Sequence, residues 1–403
     1  MNVEYEIRIQ NNYNNIGIKS NKLIYLYNML IIRKIHADIL NHFHKGKAIL
    51  IEGPRQVGKS TLIISILEGK EFIHLDGDDI NDRLILERIN TRELRKLIGS
   101  KKIVFIDEIQ RIQNIGLTIK IIVDQLKDIQ VIASGSSAYE LNSITQESLT
   151  GRKWEYKLLP ISWGEYENYV GYRDSLSLLD HRVVHGMYPE VITSTNQEID
   201  RLYFLKNSFL YKDILAFEGV KKPDKLELLV RALAYQIGSE VNYNELSNSI
   251  GIDYKSVEKY IDLLEKSYVV FRLPSFKMNL RNELKKSRKI YFYDNGIRNA
   301  IIGDFSVLSS RQDRGALWEN FLVSERIKKI EYDMTFARSY FWRTTQKQEI
   351  DYVEHSVMNE LSAYEFKYNP KSKAKITKVF ENAYNVKPKV ITKDNFREFL
   401  MDE

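Results

Sequence analysis

Short apolar runs punctuate the first third of the chain. Ala48–Ile51 reads as a strand that enters a glycine-bearing loop, and the segment beyond it carries an apolar stripe through Leu62, Ile63, Ile66 and Leu67, as a helix packed on a sheet does. Ile103–Ile106 is apolar at every position rather than at alternate ones, the pattern of a parallel strand buried on both faces. Glu71–Leu75 and Ile129–Ala133 read as two further strands. Strands separated by helical stretches predict an α/β fold around a parallel sheet.

The pattern then changes. Ser162, with Glu165 three positions on, predicts a capped helix start at the head of a largely helical region. Leu226–Ile237, Tyr243–Ser249 and Tyr254–Leu264 read as helices, with Gly251 as the turn before the last, whose Val257, Ile261 and Leu264 share a face. A β segment over Tyr268–Leu273 completes an outline that resembles a winged helix. Its third helix exposes some combination of Tyr254, Lys255, Glu258, Lys259 and Asp262, a nearly neutral set that fits DNA contact and domain packing equally. Ala316–Ile327 reads as a helix with Glu319 among its apolar residues, and Tyr340–Trp342, Glu349–Val353 and Ser362–Lys367 read as strands. The expected division is a nucleotide domain over 1–156 with an N-terminal lead-in, a helical linker over 157–223, a winged-helix-like unit over 224–276, and a C-terminal α/β domain over 277–403.

Composition narrows the partners. Of 403 residues 43% are hydrophobic and 28% charged, a globular balance with room for two or three domains. No run approaches the ~18 apolar residues of a membrane span, and the first residues lack the basic flank and apolar core of a signal peptide. The expectation is a cytoplasmic protein without a membrane partner. The absence of cysteine excludes disulfides and thiolate-held zinc or iron–sulfur clusters. The formal charge of +6 permits a polyanionic partner. The excess is concentrated at Lys277, Arg281, Lys285, Lys286, Arg288, Lys289 and Arg298, against only Glu283 and Asp294, and this run reads either as a solvated face or as a nucleic-acid footprint.

The strongest chemical signal is Gly53-Pro54-Arg55-Gln56-Val57-Gly58-Lys59-Ser60, a GxxxxGK[ST] loop between strand and helix. Two glycines let the backbone wrap phosphates, and main-chain N–H groups with the helix start supply fixed positive potential. Lys59 can reach the β and γ phosphates, the Ser60 hydroxyl can ligate magnesium, and Thr61 lies beside them. Asp107 and Glu108 close the strand Ile103–Ile106, where open α/β sheets place ligands. Asp107 is the expected magnesium partner and Glu108 the residue that polarises attacking water. Ser136, at the end of Ile129–Ala133, is the candidate γ-phosphate sensor, with a plain strand-end turn as the alternative. Arg152 is read either as a guanidinium that enters a neighbouring subunit's ATP site or as an internal ion pair. Asp76, Asp78 and Asp79 are expected near the metal or as helix caps. The absence of the G-x-G-x-x-G fingerprint argues against hydride transfer, and that of N-K-x-D favours ATP over GTP. His181 and His185 have helical spacing but lack the glutamate of H-E-x-x-H, so metal binding is not expected there.

Period-2 alternation places Glu349 and Asp351 on one strand face, and Glu365 and Lys367 on another. If those strands pair, Asp351, Glu365 and Lys367 converge with Glu319 from the helix. Carboxylates beside a lysine can hold Mg²⁺ against a scissile phosphate, the layout of PD-(D/E)xK nucleases. A retained fold with an ion-pair network is the alternative.

Taken together, GPRQVGKS, FIDEIQ (105–110), SGSS (134–137), LTGR (149–152), PISWGEY (160–166), GALWENFLVSE (315–325), YFWR (340–343), EIDYVE (349–354) and AYEFK (363–367) occur in an order that resembles prokaryotic, often archaeal, AAA-superfamily ATPases with a C-terminal PD-(D/E)xK-like domain. That family usually carries a glycine-containing hairpin before its E-x-D; Gln346-Lys347-Gln348 stands there instead. The resemblance implies a Mg²⁺-dependent ATPase with DNA association. Three readings follow: an ATPase acting on DNA, with homo-oligomerisation and nuclease action left open; an ATP-regulated protein-interaction or defence-associated switch on a non-catalytic scaffold, its protein partner unidentified; and a small-molecule kinase.

Overall fold

A strand apolar at every position needs cover on both faces, and the first of them has it. In the computed structural model, which describes residues 30–88, 90–136, 149–208, 220, 222–276, 288–371 and 378–401, Ile49 and Ile51 pack into one core with Leu62, Ile63 and Ile66. Ala48 and Leu50, pointing the other way, pack with Val104, Ile106, Ile119 and Ile122. The strands are β1 (Ala48–Glu52), β2 (Ile73–Asp76), β3 (Ile103–Asp107), β4 (Gln130–Gly135) and β5 (Lys153–Lys157). They form one sheet in the order β2-β3-β4-β1-β5, every neighbouring pair parallel. β2 lies slightly later than the expected Glu71–Leu75, because Asp76 still pairs with Asp107. Adjacent registers bring the ends of β1, β3 and β4 to one edge, beneath helix α1 (Lys59–Ile66).

Ser162 caps helix α2 (Trp163–Val170), with the Glu165 side chain returning the bond to the Ser162 N–H. Beyond the linker helices come α3 (Pro223–Tyr235), α4 (Tyr243–Ile250) and α5 (Tyr254–Lys266). The strand after them, β6 (Val270–Pro274), pairs antiparallel with β7 (Arg288–Phe292). The expected border at 276/277 therefore falls between two paired strands. Within the basic run, β7 carries buried Ile290 and Phe292 into the same core as α3 to α5.

Helix α6 (Arg314–Tyr332) runs beyond both ends of the expected Ala316–Ile327. Its added turns are held by tertiary bonds: Lys328 Nζ donates to the Ile161 carbonyl at 3.0 Å, and the Tyr332 hydroxyl accepts the Leu159 N–H at 3.0 Å. The C-terminal sheet is mixed, in the order β11-β10-β9-β8, from β8 (Arg338–Arg343), β9 (Glu349–His355), β10 (Leu361–Phe366) and β11 (Lys389–Ile391). β9 is antiparallel to both β8 and β10, while β11 runs parallel to β10. In the β8–β9 connection Lys347 adopts a left-handed φ of 62°, so the turn is made without glycine. His355 ends β9. Among the described residues no helix is long and apolar enough to cross a membrane.

Candidate functional site

The loop after β1 folds as its glycines require. Gly53 has φ 154°, and a Cβ there would lie 2.0 Å from the Leu158 carbonyl oxygen, so the first loop position excludes any side chain. Gly58 has φ 91° and opens α1. Lys59 is only 5% exposed, and its ammonium donates to the Gly53 and Pro54 carbonyls, each at 2.9 Å. Pro54, Val57 and Gly53 are buried, while Gln56 takes a left-handed φ of 57°.

At the facing strand ends, Ser60 Oγ donates to Asp107 Oδ2 at 2.6 Å. The other Asp107 oxygen accepts from the Ser134 hydroxyl and from the Glu108 N–H. A hydroxyl and a carboxylate in contact form a hard oxygen pair, the donor chemistry that suits Mg²⁺ with several retained waters. Glu108 sits in the left-handed region (φ 47°) immediately past β3, and its carboxylate accepts from the Gln110 amide and, at 3.4 Å, from Ser136 Oγ. Gln110 also donates to Ser136 Oγ at 2.8 Å, so Glu108, Gln110 and Ser136 form one polar cluster.

Arg152 lies away from this cluster. It precedes edge strand β5, and its guanidinium pairs with Asp124 at 2.8 Å on the surface. Asp79 caps the helix start by accepting from the Asn81 and Asp82 N–H groups, and Asp76 accepts from the Asp78 N–H. Ser137 lies outside the described residues.

Three residues of this site escaped the sequence reading. Ser134 is fully buried on Asp107. Gly77 donates its N–H to the Asp107 carbonyl at 2.9 Å, and a Cβ on it would lie 2.3 Å from the Glu108 carbonyl oxygen. Arg33, from the lead-in segment, donates to the Val57 carbonyl of the loop at 2.8 Å, to the Leu159 carbonyl at 2.6 Å and to Glu165 at 3.1 Å. It also meets the Tyr332 hydroxyl of α6 at 3.1 Å. Beside the loop opens a cavity of about 740 Å³, lined by Gly58, Thr61 and apolar Ile31, Ile32, Leu62, Ile66, Ile161 and Pro189 among others.

The C-terminal residues also meet. Asp351 is pushed up to about 8 by burial, with Glu319 and Glu365 adding to the rise and Lys289 opposing it. Its carboxylate accepts the Phe366 N–H at 2.7 Å. Lys367 Nζ donates to Glu365 at 2.7 Å. Glu319 is engaged by Lys289 Nζ at 2.8 Å and the Tyr291 hydroxyl at 2.5 Å, and Lys289 reaches Glu349 at 2.6 Å. Burial disfavours charge on Lys289, but Glu319, Tyr291, Asp351 and Glu349 outweigh it and hold the ammonium well above its usual range. Alternation through Lys289-Ile290-Tyr291 was the available signal for these two residues. Among the described residues, no group of three or more His, Asp or Glu side chains is arranged to hold a metal ion.

The expected basic footprint is corrected in part. Lys289 and Arg298 are each 1% exposed, and Arg298 pairs with Asp313 at 2.6 Å. They are internal counter-charges, not a surface for phosphates. Lys277, Arg281, Lys285 and Lys286 lie outside the described residues. His181 and His185 stack at 4.0 Å, with His185 Nδ1 against the His181 carbonyl, and among the described residues no carboxylate is bonded to His185.

Residues 45–167 match the model of an AAA domain. Two further matches, over 176–307 and 314–402, are to domains of unknown function (DUF8612 and DUF4143). Uncharacterized proteins of Mycobacterium bovis and Mycobacterium tuberculosis are each 28% identical over 336 residues, covering 81% of this chain and 72% of theirs. An uncharacterized protein of Haemophilus influenzae is 23% identical over 279 residues, covering 63% and 69%. Among solved structures, a Walker-type ATPase of Pyrococcus abyssi aligns with 68% of this chain and 96% of its own, at 14% identity and a TM-score of 0.49. The match over 45–167 makes the N-terminal domain an AAA-type P-loop domain, the kind that binds nucleotide.

Proposed function

We propose that this chain is a Mg²⁺-dependent ATPase whose nucleotide domain acts on a nucleic-acid-associating C-terminal half. The observation that carries the first part is the contact of Ser60 with Asp107 at 2.6 Å, directly beside the buried Lys59 and the Glu108–Ser136 cluster. Lys59 exchanges the Gly53 and Pro54 carbonyls for the β and γ phosphates when the triphosphate enters the loop. The apolar cavity next to Gly58 and Thr61 takes the adenine, whose faces need desolvated walls. Ser60 and Asp107 would hold the magnesium ion, which offsets charge on the phosphates. Glu108 orients and polarises the attacking water, with Ser136 and Gln110 fixing its carboxylate. Arg152 is the candidate for an intermolecular role, since its only carboxylate partner among the described residues is the exposed Asp124. The test is nucleotide binding by calorimetry. The parent chain should bind Mg²⁺-ATP, and Lys59→Ala should weaken it by at least about tenfold, the loss expected of a charge-assisted phosphate contact. Equal affinity in the two chains contradicts the reading.

For the C-terminal half the favoured role is association with nucleic acid without cleavage. Lys289 already lies between Glu319 and Glu349, and Lys367 is bonded to Glu365, so ammonium groups occupy the carboxylates that a nuclease would offer to metal. Incubation of supercoiled DNA with the chain and Mg²⁺ or Mn²⁺ separates the two: intact DNA is expected. Cleavage that disappears in an Asp351→Ala, Lys367→Ala double variant would restore the nuclease reading.

A further inference from the structure

A second cavity, of about 510 Å³ and far more polar than the first, opens where the three-helix unit meets the strand ends. Asn242 and Asn244 flank the start of α4, Tyr254 opens α5, Arg288 begins β7 and Arg343 ends β8. Tyr243 forms the floor; its ring lies 5.7 Å from that of Tyr254, and the Arg288 guanidinium sits 5.5 Å over it. The Tyr243 hydroxyl accepts from Arg288 at 3.4 Å. Among the described residues Arg288 has no carboxylate partner. Arg343, by contrast, is shared between Glu240 at 3.0 Å and Glu349 at 3.4 Å.

Glu349 joins this cavity to the carboxylate cluster. One of its oxygens meets Arg343 and the other meets Lys289, whose ammonium also holds Glu319. The cavity wall therefore continues, through bonded side chains, to the surroundings of Asp351 and Lys367. A half-buried guanidinium without a carboxylate partner offers a planar fork to an anion, and phosphate matches it. Side-chain amides and an aromatic ring within the same cavity add hydrogen-bonding and stacking surfaces for a planar base. In a duplex each base face is covered by its neighbours, so a base reaches such a ring only from a single strand.

We propose that this cavity holds one nucleotide of a single-stranded nucleic acid, with its phosphate on Arg288 and its base against Tyr254. The strand then passes over Arg343 toward Asp351 and Lys367. This proposal rests on the nucleic-acid reading above and supplies the site that reading lacks.

The experiment is fluorescence anisotropy of a fluorescein-labelled oligo-dT strand with the full chain at low salt. The parent should bind. Arg288→Glu should weaken binding by about tenfold and lower the slope of log affinity against log salt by about one unit. Tyr254→Ala should weaken it by about fivefold or more, the loss of one stacked base. Melting temperatures check the fold of each variant, and Arg288→Gln replaces Arg288→Glu if the latter melts early. Parent-like affinity in both folded variants overturns the site and leaves the nucleic-acid reading standing. A parent chain that binds no strand with ATP, ADP or no nucleotide overturns that reading together with the site. Equal affinity for a blunt duplex, insensitive to Tyr254→Ala, overturns the single-strand assignment.

Discussion

Asp107 is positioned by two hydroxyls and a backbone N–H before any ion or phosphate is considered. Ser134 is the informative one, because its hydroxyl is fully buried on Asp107. Outer partners of a metal-holding carboxylate fix its orientation, and their loss commonly costs 10–100-fold in metal affinity. Ser134→Ala should therefore raise the Mg²⁺ concentration for half-maximal phosphate release by about tenfold, measured by titration at saturating ATP. An unchanged midpoint would detach Ser134 from the site. Loop, lysine and carboxylate pair were legible in the sequence because phosphate wrapping demands glycine and cation at fixed spacing. Ser134 and Gly77 were not: their roles arise from contact across strands that are neighbours only in space. Lys289 was misread for the same reason, since a charge run in one dimension does not reveal which ammonium faces a buried glutamate.

At the scale of elements, the helix Leu179–His185 carries a pH sensitivity of its own. Burial, with the nearby His181 adding to it, pushes the His185 imidazole down to about 4, while the unfolded chain keeps it near 6.5. The folded state thus binds fewer protons between those values. The stability contributed by neutral His185 is complete above about pH 6.5 and is lost as pH falls toward 4. His185→Phe, which keeps a ring against Phe305, should flatten the acid limb of a melting-temperature profile between pH 7 and 4. A limb as steep as the parent's would assign the acid sensitivity elsewhere. Element existence followed from periodicity, yet α6 outran its apolar stripe. Its last turns are fixed by Lys328 and Tyr332 bonding backbone of the 159–161 segment, which no helical pattern encodes.

At the scale of the whole chain, Arg33 joins three parts that the sequence treats as separate. Its guanidinium is 6% exposed and bonds the phosphate loop, the segment entering α2 and the end of the C-terminal helix α6. Lys34 pairs with Asp333, and Lys157 with Glu331, around the same joint. Arg33→Met would leave buried Glu165 without its counter-charge, a change that costs about 3–5 kcal/mol when a buried pair is broken. Calorimetry should show a lowered midpoint and a transition split between the nucleotide and C-terminal parts; a single transition at the parent temperature would deny Arg33 this role. This joint was not readable from the chain, because Arg33 lies in a lead-in with no motif and no periodicity.

The central claim is that the ends of β1 and β3 form an ATP-hydrolysing site in which Glu108 acts on water. Phosphate release in a single turnover at saturating Mg²⁺-ATP, with parent and Glu108→Gln chains compared, addresses it directly. The account predicts retained ATP affinity with release slowed by about 10²-fold or more, the range for loss of a general base. Release at the parent rate by the Glu108→Gln chain would contradict it.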